Sequence, residues 1–264
     1  MEKVISKDGT TIAFDKIGNG PVLIIVASAL ADRQGAAQLA NRLSERFTVI
    51  NYDRRGRGDS SDQSPYAVAR EVEDIEVLID ANGGSSALFG SSSGAALALE
   101  AANLLGEKVS RMFLYEPPFI VNDDRPPVPT EYVAHLNQLI SEGKRSEAVE
   151  YFMTAAAGVP EEFVGFMKAD PSWGGMEALA HTLPYDGTVM GTTQQGNPLP
   201  SDKWSINVPV AVIAGENSGA FFHAAAKEVS SILPKGEYSV LPGQDHAAAV
   251  MAPDELAAAI VGLI

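Results

Sequence analysis

Among the 264 residues of this chain, one serine sits in a pattern suited to nucleophilic chemistry. Ser92 lies in Ser86-Ala87-Leu88-Phe89-Gly90-Ser91-Ser92-Ser93-Gly94-Ala95. It alone of the three consecutive serines has glycine two positions before and two positions after. An apolar run of strand type leads into Gly90, and an alanine-rich helical run follows. A serine on such a bend is lifted clear of the backbone, and small neighbours let strand and helix approach without clashing. The helix that follows offers free N–H groups and a positive dipole end. The Ser93 amide is therefore the expected donor to a developing oxyanion, while the Ser91 and Ser93 side chains are read as supporting.

A serine needs a base to become nucleophilic at neutral pH. The chain has four histidines: His135, His181, His223 and His246. His246 ends the loop Leu241-Pro242-Gly243-Gln244-Asp245-His246, just after the last strand-type run. The carboxyl ends of parallel strands are where open α/β sheets place their sites. Serine early and histidine late is also a chain order known for such pairs. His246 is thus the candidate general base, with His181 a candidate for the pocket wall.

These residues are positioned by alternating β-type and α-type runs, the signature of a mostly parallel sheet flanked by helices. Strands are predicted at Thr11–Phe14, Val22–Ala27, Thr48–Tyr52, Ser86–Phe89, Met112–Tyr115, Val208–Ala214 and Tyr238–Leu241. Asp32 is expected to cap a helix carrying Leu39, Ala40 and Leu43. Ser64-Pro65 is expected to start another, with Val68, Val72, Ile75, Leu78 and Ile79 buried and Glu71, Glu73, Asp74 and Glu76 off that stripe. Further helices are predicted at Ala95–Leu105, Ala220–Leu233 and Pro253–Ile264. From Pro117 to about Ile206 no strand pattern appears. Helical patterns at Glu131–Ile140, Glu147–Ala157, Glu161–Lys168 and Met176–Leu183 are read as an inserted cap. The predicted organisation is a sheet domain of residues 1–119 and 207–264 with a helical cap of 120–206.

The elbow around Ser92, the Gly243–His246 loop and the order of the two resemble the α/β-hydrolase superfamily over nearly the whole chain. That resemblance implies an α/β-hydrolase fold and a serine hydrolase without a cofactor. Tyr52-Asp53-Arg54-Arg55-Gly56-Arg57-Gly58-Asp59-Ser60 looks like the superfamily's strand-to-loop motif. It is read as a turn in which Arg and Asp tie loops together. A phosphate-binding loop is disfavoured because no helix directly follows the glycines.

Two departures follow from the resemblance. The superfamily's acid normally follows the seventh strand, where this chain reads Gly215-Glu216-Asn217-Ser218, with serine at the aspartate position. A serine carries no charge to hold an imidazolium, so the acid must come from elsewhere. Glu116, at the end of the sixth strand, occupies a position that some superfamily members use, and Pro117-Pro118 is expected to keep its backbone extended. Glu216 is the second candidate, and Asp245 is too close to His246 to orient its ring. The usual His-Gly after the third strand is also replaced, by Ala27-Ser28-Ala29-Leu30. Backbone amides form oxyanion holes, so Ala29 N–H, give or take one residue, is expected to join Ser93 N–H.

The nucleophile is serine rather than aspartate, which excludes aspartyl-ester chemistry. The cap supplies apolar side chains for a pocket, with Leu30, Phe119, Phe152, Trp173 and His181 as candidate substrate contacts. The expected substrate is a small or medium hydrophobic ester, thioester or lactone. Carbon–carbon bond hydrolysis and perhydrolysis remain open, as does a small-molecule binding protein on the same fold. The net charge of −15 disfavours nucleic acid and anionic membrane surfaces as partners. The absence of cysteine excludes thiolate chemistry. No histidine or carboxylate spacing suggests a metal. The N-terminus shows no signal-peptide pattern, and a cytoplasmic location is expected.

Overall fold

Eight strands form one sheet in the computed structural model, which describes residues 1–264. They are β1 (Glu2–Ile5), β2 (Thr11–Ile17), β3 (Val22–Val26), β4 (Thr48–Tyr52), β5 (Ser86–Ser91), β6 (Val109–Tyr115), β7 (Val210–Gly215) and β8 (Gly236–Leu241). Their spatial order is β1-β2-β4-β3-β5-β6-β7-β8. β1 and β2 pair antiparallel, β2 joins β4 antiparallel, and every other pairing is parallel. The strand at Glu2–Ile5 was not expected. Its residues are mostly exposed, so it carries no apolar alternation to betray it.

The helices are α1 (Ala37–Leu43), α2 (Val68–Ala81), α3 (Ser93–Leu105), α4 (Tyr132–Ser141), α5 (Arg145–Tyr151), α6 (Glu161–Met167), α7 (Trp173–Leu179), α8 (Leu183–Met190), α9 (Ala220–Ile232), α10 (Ala248–Met251) and α11 (Pro253–Gly262). The period of two along each strand decides which helices it meets. Ile24, Val26, Leu88, Leu114 and Val212 pack with α2, α3 and α9. Leu23, Ile25, Phe89, Phe113 and Ile213 point the other way, to α1 and α11. Each such fully buried side chain is worth about 1.5–3 kcal/mol of transfer free energy, so neither face tolerates a one-residue slip.

Some expectations about the helices flanking the sheet are corrected. Asp32 caps no helix; its Oδ1 accepts the amides of Gln34 (2.9 Å) and Gly35 (3.4 Å), closing a turn ahead of α1. The helix expected at Ser64-Pro65 begins at Val68, after an extended Ala67 with φ −150°. Glu71 and Asp74 of that helix are buried rather than outside its stripe, because Arg54 and Arg55 meet them in bidentate ion pairs.

Between β6 and β7 there is no strand. α4, α5, α6 and α7 share a core of their own around Leu136, Val149, Val164 and Trp173. α5 continues into a π-helical turn at Phe152–Ala156. The single helix expected at Met176–Leu183 is two, α7 and α8, joined by a 3-10 turn at Ala180–Thr182. The two ends of the segment, Phe119 and Val121 on one side and Leu199, Trp204 and Ile206 on the other, pack into the sheet's own core.

Candidate active site

β3, β5, β6, β7 and β8 run parallel, so the loops after them gather at one edge of the sheet. Ser92 is at the bend between β5 and α3, with φ 54° and ψ −125°. This left-handed conformation is uncommon and costly for a residue with a side chain. The flanking glycines are there because the bend has no room for Cβ atoms. One on Gly90 would lie 2.5 Å from Gly94 O, and one on Gly94 would overlap Val26 O and come within 2.8 Å of Ala27 O. Gly94→Ala is therefore expected to destabilise the fold by about 3 kcal/mol or more, since backbone rather than a flexible side chain blocks the methyl. Urea denaturation checks this against Gly174→Ala, where nothing lies within 4 Å.

Glu116 directly follows β6 and is 0% exposed. Its Oε2 accepts a hydrogen bond from His246 Nδ1 at 2.6 Å, and its Oε1 accepts the Gly215 amide at 2.6 Å. The expected extended backbone is not what aims it: φ at Glu116 is +49°, so a left-handed turn directs the carboxylate across to β7 and β8. Gly215 makes room for this, because a Cβ there would lie 2.5 Å from Gln244 O in the histidine loop. Tyr115 Oη donates to Asp245 O and ties the same loop to β6. Glu216 lies apart from the imidazole and accepts the Gly243 amide at 2.8 Å.

The His246 ring stacks on Phe222 at 4.3 Å, tilted by 18°. Its Nδ1 is taken by Glu116, which leaves Nε2 free. Ser92 and His246 open onto the same cavity of about 700 Å³. No Ser92–His246 hydrogen bond is formed within it. Such bonds commonly tighten only when substrate is bound. Ala29 and Ser93 also line this cavity, and their amides donate to no group of the protein.

Behind these amides lies a buried ionic cluster. Asp186 of α8 accepts Arg54 Nη1, Arg57 Nη2 and Ser93 Oγ at 2.6, 2.6 and 2.8 Å. Arg54 also donates to Ala27 O, and Arg57 to Ser28 O and Ala31 O. The carbonyls of the loop after β3 are thus held by the two guanidiniums. Burial pushes the Asp186 pKa up, but the charges of Arg54 and Arg57 and the bonds from Arg54 and Ser93 outweigh it, and the net shift is downward. A depressed carboxylate pKa stabilises the fold above the ordinary aspartate value, and that stability is lost as pH falls through the folded-state pKa. Asp186→Asn leaves Arg57 with no paired carboxylate and Arg54 with Glu71 alone. It is expected to cost about 3–5 kcal/mol at pH 7. The gap from the parent should shrink in urea titrations below about pH 4.

Of the expected substrate contacts, Phe152 lines the cavity, with Tyr132, Met153, Met167 and Met190 beside it. Leu30, Phe119, Trp173 and His181 do not. Leu30, at φ +54°, packs on the core of α4, α5, α6 and α7. Phe119 is stacked on Trp204 at 5.8 Å in the sheet's core. Trp173 is buried in the helical segment, its Nε1 donating to Ser146 and Glu177. His181 Nε2 bonds Gly56 O at 2.8 Å and joins the helices to the Arg-Gly turn. Each shares the size or chemistry of a pocket residue, and each is consumed by packing. Sequence reasoning missed Asp186, Arg125, Phe221 and Phe222. Asp186 had one available signal, the surplus of arginines in the Arg54–Arg57 turn, which needs carboxylates. A second depression of about 490 Å³ around Gly143, Ser146 and Glu177 is polar-lined and holds none of these groups. No three His, Asp or Glu side chains are grouped to hold a metal ion. No helix is long and apolar enough to cross a membrane.

A family model for the alpha/beta hydrolases matches residues 26–259. The chain belongs to the alpha/beta hydrolase family. This hydrolase is similar to an alpha/beta hydrolase from Sphaerobacter thermophilus, with 47% identity, TM-score 0.91 and 99% of both chains covered. It is 26% identical to the 2-(acetamidomethylene)succinate hydrolase of Mesorhizobium japonicum, over 94% of this chain and 89% of that protein. The enol-lactonase of Burkholderia xenovorans shares its fold, at 20% identity and TM-score 0.72 over 99% of each chain.

Proposed function

We propose that this hydrolase cleaves a carboxylic ester, thioester or lactone through an acyl-Ser92 intermediate. One observation carries the reading: a buried carboxylate holds His246 by Nδ1, in the cavity onto which a strained serine opens. His246 Nε2 takes the Ser92 proton as Oγ attacks the substrate carbonyl. The tetrahedral oxyanion is held by the Ala29 and Ser93 amides. His246 then returns the proton to the leaving oxygen or sulfur. Water, deprotonated by the same nitrogen, attacks the acyl carbon and releases the acid and Ser92. Glu116 keeps the proton on Nδ1 and balances the imidazolium charge.

The cavity suits a small or medium ligand, and its Phe, Tyr and Met walls favour an apolar body. Two similar proteins are an enol-lactonase and a 2-(acetamidomethylene)succinate hydrolase. Serine at position 218, with the missing His-Gly after the third strand, is what favours a binding protein. The serine loses its weight once Glu116 meets His246. A fluorophosphonate probe followed by peptide mass spectrometry tests the reading. The expected result is a single adduct on Ser92. A protein that stays unlabelled and turns over no ester would be a binding protein.

A further inference from the structure

The cavity wall is apolar over most of its area, and one of its polar groups is a cation without a counter-ion. Arg125 lies in the loop between β6 and α4 and is only partly exposed. Its Nη1 donates to Ala156 O at 3.0 Å and its Nη2 to Ala155 O at 3.4 Å, at the end of the π-helical turn. Its Cζ sits 4.9 Å over the centre of the Phe221 ring. Nε and the remaining guanidinium hydrogens have no partner. No carboxylate lies within ion-pair distance, although Asp123 and Asp124 precede it in sequence.

The contrast with the buried arginines is informative. The buried arginines Arg33, Arg54, Arg55 and Arg57 each meet at least one carboxylate. Burial pushes the Arg125 pKa down with nothing to oppose it. The other charged groups on the cavity wall do not supply a partner. Asp186 is neutralised by two arginines, and Asp245 accepts the Ala247 amide. A guanidinium kept in an apolar wall without an anion carries a desolvation cost that an incoming anion relieves.

Its position relative to the reacting groups follows from a chain of contacts. Arg125 lies over Phe221, Phe221 is 3.9 Å from Phe222, and Phe222 stacks on His246. We propose that Arg125 receives a carboxylate of the substrate, so that the ester cleaved at Ser92 is a half-ester of a short dicarboxylic acid or an ester of a short hydroxy acid. This rests on Ser92 being the nucleophile. The apolar walls then hold the chain between the two ends. The guanidinium selects against neutral esters of the same shape, because those leave it buried and unpaired.

The test compares matched pairs of substrates in the parent and in Arg125→Gln. One pair carries the charge on the acyl side: mono-4-nitrophenyl glutarate and 4-nitrophenyl pentanoate. The other carries it on the alcohol side: 4-butyryloxybutanoate and pentyl butyrate, followed by pH-stat. The parent should prefer the charged member of at least one pair, and Arg125→Gln should lower that preference about tenfold or more in kcat/KM. Equal losses on charged and neutral esters would show that Arg125 only closes the π-helical turn, and the proposal fails. Failure of the Ser92 reading looks different: no ester is cleaved and the fluorophosphonate forms no adduct. In that case calorimetric titration with glutarate still decides. Binding by the parent and not by Arg125→Gln supports the carboxylate site, and equal or absent binding overturns it.

Discussion

Ser92→Ala is expected to lower kcat/KM for a 4-nitrophenyl ester by about 10⁴–10⁶-fold and to abolish the fluorophosphonate adduct. The residual rate comes from binding and from the Ala29 and Ser93 amides, which the substitution does not touch. Stability should hardly change, because Ser92 Oγ makes no hydrogen bond to the protein and alanine inherits the same left-handed backbone. Ser92→Gly should be equally inactive and more stable than Ser92→Ala. Relief of a φ of 54° is worth about 1–3 kcal/mol. The added freedom of glycine in the unfolded chain takes back about 0.5–1 kcal/mol. The net gain, about 1 kcal/mol, is readable in urea denaturation. A glycine variant less stable than the alanine variant would mean that the bend stores no strain. Full activity in either variant would place the nucleophile elsewhere.

The strain at Ser92 also explains why this region was readable from sequence. A serine at positive φ between a strand and a helix that nearly touch forces glycine at positions 90 and 94, and that spacing is visible as letters. Val22–Val26 was readable for a similar reason, since a strand covered on both faces must be apolar throughout. Buried charge was not readable in the same way. Glu71 and Asp74 resemble solvated residues of an amphipathic helix until Arg54 and Arg55 are placed against them. Arg125 lies in Asn122-Asp123-Asp124-Arg125-Pro126, which reads as a polar surface loop, and only the tertiary fold turns its guanidinium to the cavity. Phe119 and Trp173 went wrong in the opposite sense. A large aromatic has the same sequence appearance whether it faces ligand or core, and the core claims most of them. Glu116 was reachable because the usual acid position holds serine and the imidazole must have a partner. Its left-handed backbone before Pro117-Pro118 was not, because local preference there points to an extended chain and tertiary packing overrides it.

Glu116→Gln is expected to lower kcat by about 10³–10⁴-fold with little change in KM, through the tautomer of His246. The two carboxylate oxygens are not equivalent. Oε1 accepts the Gly215 amide, and a backbone N–H cannot reverse its role. In the glutamine variant the side-chain oxygen must therefore stay on Gly215, and the NH₂ group faces His246 Nδ1. Nδ1 then becomes the acceptor and the ring proton moves to Nε2, the nitrogen that has to take the proton from Ser92. The base is lost although every heavy atom keeps its place. Folding stability should hold or rise, since a neutral amide is cheaper to bury than a carboxylate. Glu216→Gln, on an exposed residue that bonds only the Gly243 amide, should stay within about threefold of the parent. Stopped-flow acylation with a 4-nitrophenyl ester reads both variants directly. A larger loss from Glu216→Gln than from Glu116→Gln would move the acid to the loop after β7, and the Glu116–His246 contact would then be structural only.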